Sequence, residues 1–305
     1  MAHVHVAYSL KNPILACALA LLLPWSLGHA ATSVDEHRPA NPQGEVEIDN
    51  VAGMIDVQGW DKPEVAVTGT IGKDVERVEV TGGGNRTSVR VVLPSGQRWG
   101  MRDGEAHLLV RVPTNSSVSA SLVSSDLKIS AVRGALDLRS VSGNIAGEGG
   151  GDVRVNDVSG DIRFTANAAK RIEAKAISGS IVLTAGNTDI EATTVSGDAH
   201  LTLGTVSRAR FKTVSGDFSA KLAAAADAQI DVESVSGDIH LEFASEPAAD
   251  YEVQTLSGDI DNCFGPRPVE PRHGPGKRLT FKTGETSARV HVSSNSGDVR
   301  LCARK

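Results

Sequence analysis

Six aspartates recur at one place in a repeated triplet: Asp161, Asp198, Asp217, Asp238, Asp259 and Asp298 each follow a Ser-Gly pair. A column of carboxylates could gather calcium, since like charges stacked about 5 Å apart repel by about 1 kcal/mol per pair and so favour cations nearby. Calcium takes roughly six to eight oxygens, however, and one carboxylate per repeat supplies too few. The nonapeptide period of the calcium-binding β-rolls, with several glycines per turn, is also missing. Turn chemistry explains the triplet better, because glycine supplies a backbone conformation other residues resist while Ser and Asp side chains bond to the local backbone. Weak cation association is compatible with this column, but it offers no specific metal site.

The serine ahead of each glycine could be a nucleophile, yet a catalytic serine is needed once, beside a base, and this one recurs at eight corners. No G-x-S-x-G elbow occurs. The histidines after residue 30 (His37, His107, His200, His240, His273 and His291) are scattered, and the two that share a repeat position, His200 and His240, stand two repeats apart, too far to share a metal. No catalytic residue, cofactor site or metal site is assigned on these grounds. Cys263 and Cys302 are the only cysteines after residue 30, an even pair for which a disulfide is the expectation.

The elements that hold these residues follow from the repeat itself. Ser-Gly recurs at Gly143, Gly160, Gly179, Gly197, Gly216, Gly237, Gly258 and Gly297, with gaps of 17, 19, 18, 19, 21, 21 and 39 residues. Counting from that glycine, position −7 holds Leu136, Val153, Ile172, Ile190, Ala209, Ile230, Tyr251 and Val290, and position −5 is apolar throughout. Position +2 is apolar too, from Ile145 to Val299. Position −2 reads Val141, Val158, Ile177, Val195, Val214, Val235, Leu256 and Asn295, a single polar departure. Alternation within each half marks a strand with one buried face, and a change of parity between −5 and −2 is expected to mark the corner.

Each repeat is then strand, bend, strand, and the fold class expected is all-β: a single-domain β-solenoid with about 19 residues per coil, stacked at about 4.8 Å. Ser125 and Gly53 head two further matches, with Val118, Ala120, Val123, Leu127 and Ile129 around the first and Val46, Ile48, Val51, Ile55 and Val57 around the second. Residues 58 to 112 alternate without repeating and include Trp60 and Trp99; they read as an irregular β cap on the N-terminal end.

Residues 1–30 read as a secretory signal: Lys11, then the apolar run Pro13–Leu23, then Gly28-His29-Ala30 with small residues at −3 and −1, so cleavage is expected before Ala31. Cys17 lies inside the apolar run rather than at its end, which argues against a lipoprotein. The expected divisions are 1–30 signal peptide, 31–43 flexible N-terminus, 44–117 N-terminal β region and cap, and 118–305 solenoid with a loop excursion at 264–284. That excursion includes GPRPVEPRHGPGK at 265–277, too rich in Pro and Gly for a strand. Without Lys11 the chain carries 30 basic against 37 acidic residues, a net charge near −7 that argues against nucleic acid. No later apolar stretch reaches membrane-spanning length.

The pattern in VESVSGDIHL at 232–241, with GEVEIDNVAGMIDVQGW at 44–60, resembles the bacterial β-strand-repeat "putative adhesin" family of unknown function. That resemblance implies an exported or periplasmic solenoid with no established activity and no catalytic residues to carry over. A non-catalytic periplasmic or secreted scaffold, binding a protein or polysaccharide of the envelope, is the leading expectation. The alternatives are a carbohydrate-active enzyme on a β-helix and a calcium-stabilised surface adhesin. Position +3 (Ala146, Arg163, Val182, His200, Ser219, His240, Asp261, Arg300) shows no acidic and basic cluster for the enzyme.

Both cysteines sit at +5 from their corners, Gly258 and Gly297. A disulfide spans Cα atoms roughly 4.4 to 6.8 Å apart, which fits neighbouring coils and excludes coils two steps apart. The 39-residue gap should therefore be one coil with an excursion, clasping the last coil.

Overall fold

The computed structural model describes residues 32–94, 104–270, 275–285 and 287–304. Every element among them is a strand, and all the strands join one sheet. No helix among the described residues is long and apolar enough to cross a membrane. The signal segment at 1–30, Trp99 and His273 lie outside the described residues.

The strands pair in parallel with their counterparts one repeat away: Ile172 stands between Val153 and Ile190, and Ser215 between Ser196 and Ser236. Alternating Val, Ile and Leu suits this arrangement, since branched side chains pack well on a pleated surface and the ladder satisfies every backbone group they bury. Inward positions −7, −5, +2 and +4 make one continuous core that includes Leu138, Val155, Ile162, Phe211 and Leu241, all 3% exposed or less. Each such aliphatic side chain contributes about 1.5–3 kcal/mol on burial, which no coil could realise alone.

The expected parity change between −5 and −2 does not occur. The first strand of each coil keeps its period of two as far as the serine, so −3 points inward and −2 outward, and parity changes at the glycine. The −3 row is buried and mostly polar: Ser140, Asp157, Thr194, Thr213, Ser234, Ser294 and Thr255, with Ala176 among them.

Both ends depart from a simple stack in chain order. The coil of Gly297 pairs with the Gly237 coil on one side and the Gly258 coil on the other, so the last repeat is threaded between two earlier ones. The excursion makes this possible. It carries the chain outward, where Lys277–Lys282 pairs antiparallel with Asp250–Ser257, and then back into the gap. Phe281 stacks on Tyr251 with centroids 4.4 Å apart, and Phe264 meets both edge-on, so aromatic rings cover the outermost coil. Cys263 and Cys302 are bonded, with Cα atoms 4.9 Å apart in adjacent coils. The bridge joins an outer coil to the threaded one, rather than clasping a final coil in chain order.

The N-terminal end does the same. Strand Thr32–Trp60 lies between Ser117–Val132 and a layer formed by Arg77–Val92 and Ala106–Pro113, so the Gly53 coil is also one in from the end. Residues 32–39 are paired antiparallel with Glu64–Ile71, which replaces the flexible segment expected over 31–43. The antiparallel partner supplies the backbone bonds that polar side chains in this stretch gave no hint of.

Replacing Cys302 by Ser is expected to lower stability by about 2–4 kcal/mol. Amide exchange should quicken in Asp250–Ser257 and Arg289–Ser296 and stay unchanged in Asp189–Ser196. Equal acceleration in all three strands would contradict this local role.

Candidate functional site

The corner is built from backbone outward. Gly216 has φ of 129° and Gly237 of 118°, a region closed to ordinary side chains. A Cβ on either would also fall within 3.0 Å of the carbonyl oxygen of the glycine one coil away, Gly197 and Gly216 respectively. The glycine N–H donates across the same gap to the serine carbonyl of the next coil, as Gly197 does to Ser215 at 3.1 Å.

The aspartates serve the stack and not, as expected, their own turn. The Asp198 carboxylate accepts the Asp217 N–H at 2.9 Å, Asp217 accepts that of Asp238 at 2.9 Å, Asp238 that of Asp298 at 2.8 Å, and Asp298 that of Asp259 at 2.8 Å. Asp161 accepts the Ser180 N–H, which holds its carboxyl below the usual carboxylate range, with help from Arg163. Five of the six carboxylates thus commit an oxygen to the backbone of a neighbouring coil, a structural duty that accounts for the repeat, while Asp259 at the outer end meets Lys277.

Beside this ladder runs a row the sequence reading placed in the core. Val141, Val158, Ile177, Val195, Val214, Val235 and Leu256 are 42–52% exposed. Val51 and Val123 continue the row toward the N-terminal end, half-buried. In the order of stacked coils Asn295 interrupts it between Val235 and Leu256. Near the N-terminal end the row floors a groove of about 790 Å³ lined by Val123, Val141, Val158 and Ile177, with Arg139 and Lys175 on its rim. Strict counting from −7 through −5 and −3 was the signal that could have found it.

Under the same groove lies Asp157, 3% exposed, its oxygens lacking well-aligned partners. Burial pushes its carboxyl above the ordinary 3.8, and the N–H groups of Ser159 and Val158 pull it partway back. Asp157 stands where Thr194 and Thr213 stand in other coils and caps the corner from inside.

An acidic and basic cluster does exist, on a face the +3 row does not represent. Positions −8 and −6 gather Arg154, Arg171, Glu173, Asp189, Arg208 and Arg210 around a shallow depression of about 590 Å³. Its members neutralise one another between coils: Arg154 reaches Glu173 at 3.0 Å and Arg208 reaches Asp189 at 2.6 Å. Lys175 first and Arg154 second hold the Glu173 carboxyl below its ordinary range, the opposite of what a general acid at neutral pH requires. His200 and His240 flank Ser219 from the coils on either side of it, two coils apart as the repeat implied.

A family model described as Toastrack DUF4097 matches residues 43–302. The chain belongs to the Toastrack DUF4097 family. The match takes in the threaded coils at both ends as well as the regular repeats between them. A comparison with curated proteins finds no match. Three solved structures are similar over most of their length. A "putative cell adhesion protein" of Clostridium sporogenes is 6% identical, with 90% of this chain and 100% of that chain covered and a TM-score of 0.27. A "putative adhesin" of Bacteroides fragilis is 10% identical, covering 89% and 98%, with a TM-score of 0.43. Another from Parabacteroides distasonis is 13% identical, covering 88% and 97%, with a TM-score of 0.33. Likeness at this level carries no weight for function.

Substituting Val for Gly216 or Gly237 should cost about 3 kcal/mol or more, because conformation and the neighbouring carbonyl both oppose a side chain. Replacing the outward His240 by Ala should move the denaturant midpoint little, so equal shifts would refute the corner argument.

Asp157→Thr should stabilise the chain at neutral pH. With a raised folded pKa, the native state favours the protonated acid; that contribution is intact below 3.8 and lost as pH climbs through the folded value. The part of the variant's gain that comes from ionisation should therefore fade as pH drops toward 3.8, and a gain independent of pH would show that ionisation is not its source.

Proposed function

We propose that the protein is an exported, non-catalytic scaffold of the cell envelope, and that its working surface is the apolar stripe at the corner. The observation that carries this is the repetition of an exposed Val, Ile or Leu in seven coils, where water-facing strand positions ordinarily take polar residues. The row runs unbroken from Val51 to Val235, and a contiguous apolar surface of this kind fits an interaction site. Export rests on the signal-like residues 1–30, with cleavage before Ala31, and on the bonded pair Cys263 and Cys302, which suits an oxidising compartment.

The same reading assigns 44–117 to an N-terminal β region that caps the stack and 118–305 to a solenoid of about 19 residues per coil. Registers that advance by 17 to 21 residues between counterpart serines support it, from Ser142 paired with Ser159 to Ser215 paired with Ser236. A carbohydrate-active enzyme fits less well, since Glu173 and Asp189, on the charged face, are paired with arginine or lysine. Calcium stabilisation fits less well because five of the six corner aspartates already serve the backbone.

A photo-reactive residue at Val195 in living cells should yield a covalent protein adduct, and one at Arg163, on the other side of the corner, should yield none. A chelator should leave the melting temperature unchanged. Equal labelling from both positions, or hydrolysis of an envelope polysaccharide by the purified protein, would overturn the proposal.

A further inference from the structure

The stripe is regular enough to select its own cover. We propose that its occupant is a second copy of this chain, packed stripe against stripe with the coils of both copies running in the same direction about a two-fold axis parallel to the stack. This deepens the reading of the stripe as the working surface and rests on it.

Pitch is the first argument. The stripe presents one branched aliphatic side chain per coil, about 4.8 Å apart, from Val51 through Val235 over about 34 Å. A partner that meets every member alike must repeat at the same pitch over the same length. A second copy does so by construction. Asn295 closes the row after Val235, which favours a closed pair over an open filament.

Area is the second. Six half-exposed aliphatic side chains, with the half-buried Val51 and Val123, present about 500 Å² per copy, so stripe against stripe removes about 1,000 Å² from water before the flanks are counted, near the lower bound for a specific interface.

Charge chooses the orientation. On one side of the stripe, at +1, run the carboxylates of Asp161, Asp198, Asp217 and Asp238. On the other side, at −4, the acids Asp49 and Glu233 stand at the two ends of the row and the cations Arg139, Lys175 and Lys212 along its middle. Their present partners, Asp137, Glu173 and Glu233, form partly exposed pairs worth little, so these cations can be shared. A two-fold axis across the stripe would set aspartates against aspartates. An axis along the stripe sets the cations of each copy against the aspartates of the other at nearly the same height, Lys212 opposite Asp217.

The purified protein, expressed from the full sequence, should sediment as a dimer at micromolar concentration. Val195→Lys should weaken that dimer at least about a hundred-fold while keeping the parent's circular dichroism and melting temperature. Single Val141→Cys and Val195→Cys variants, third and sixth of the eight members between Val51 and Val235, separate the orientations. Running parallel, each cysteine meets its own mate and both variants form disulfide-linked dimers on mild oxidation. Running antiparallel, neither links to itself and only a mixture of the two cross-links, which would overturn the assignment. A monomer at every concentration would overturn it too. If the chain is monomeric while a residue at Val195 still labels another protein in cells, the stripe remains a binding surface and self-association alone falls.

Discussion

Backbone meets backbone at the Ser-Gly-Asp corner, and the rest of the stack hangs from that contact. Each corner glycine lies so close to its neighbour's carbonyl that no side chain fits between them. The coils are therefore locked in register along one line, with the glycine N–H and the aspartate carboxylate both reaching to the next turn. Differences in repeat length must be absorbed elsewhere, and they are: the extra residues of the Gly237 coil form a register shift between Ala224 and Gln229, inside the strand Phe218–Ser236, and those of the Gly258 coil sit around 244–249. Rows near the corner consequently run straight, which is why the exposed aliphatics form a stripe and not a scatter.

The same lock explains how much could be read in advance. Core rows at −7, −5 and +2 were legible because apolar residues recur there without exception, and a buried position tolerates little else. The −2 row looked like core by composition alone; Val158 and Val195 are as aliphatic as Val155, and only the unbroken alternation through Asp157 and Thr194 shows that they face outward. Threading was invisible because parallel pairing satisfies the Gly297 coil equally well on either side of the Gly258 coil. What decides between them is a hairpin in the excursion, where Leu279 and Phe281 sit beside Val253 and Tyr251, and a single strand of mixed residues carries no sign of its partner. The bond between Cys263 and Cys302 demands adjacency and is silent about order.

Charge on this surface has two uses. On the face of −8 and −6, arginines and carboxylates alternate between coils and cancel, as in Arg208 with Asp189, so the face is solvated and held together without a net field. At the corner the carboxylates are all of one sign and lie along one edge of the stripe. An apolar row bordered by acid on one side and, along its middle, by lysine and arginine on the other has a direction, and a partner that meets it must respect that direction.

Threading of both ends changes how the protein bears tension. In an ordinary solenoid a pull on the terminus peels the outermost coil from a single neighbour, and the stack unzips turn by turn. Here residues 53–58 near the N-terminal end and the strand Val299–Ala303 that leads out to the C-terminus are each gripped on two sides, by Ser117–Val132 and Ala106–Pro113 at one end and by Ile239–Phe243 and Ile260–Asn262 at the other. Once residues 32–39 have parted from Glu64–Ile71, force entering at either end must shear two ladders at once, and the cystine beside the exit shares the load with the coil outside it. The outermost turns act as retaining plates that carry no tension themselves until the turn beneath them moves.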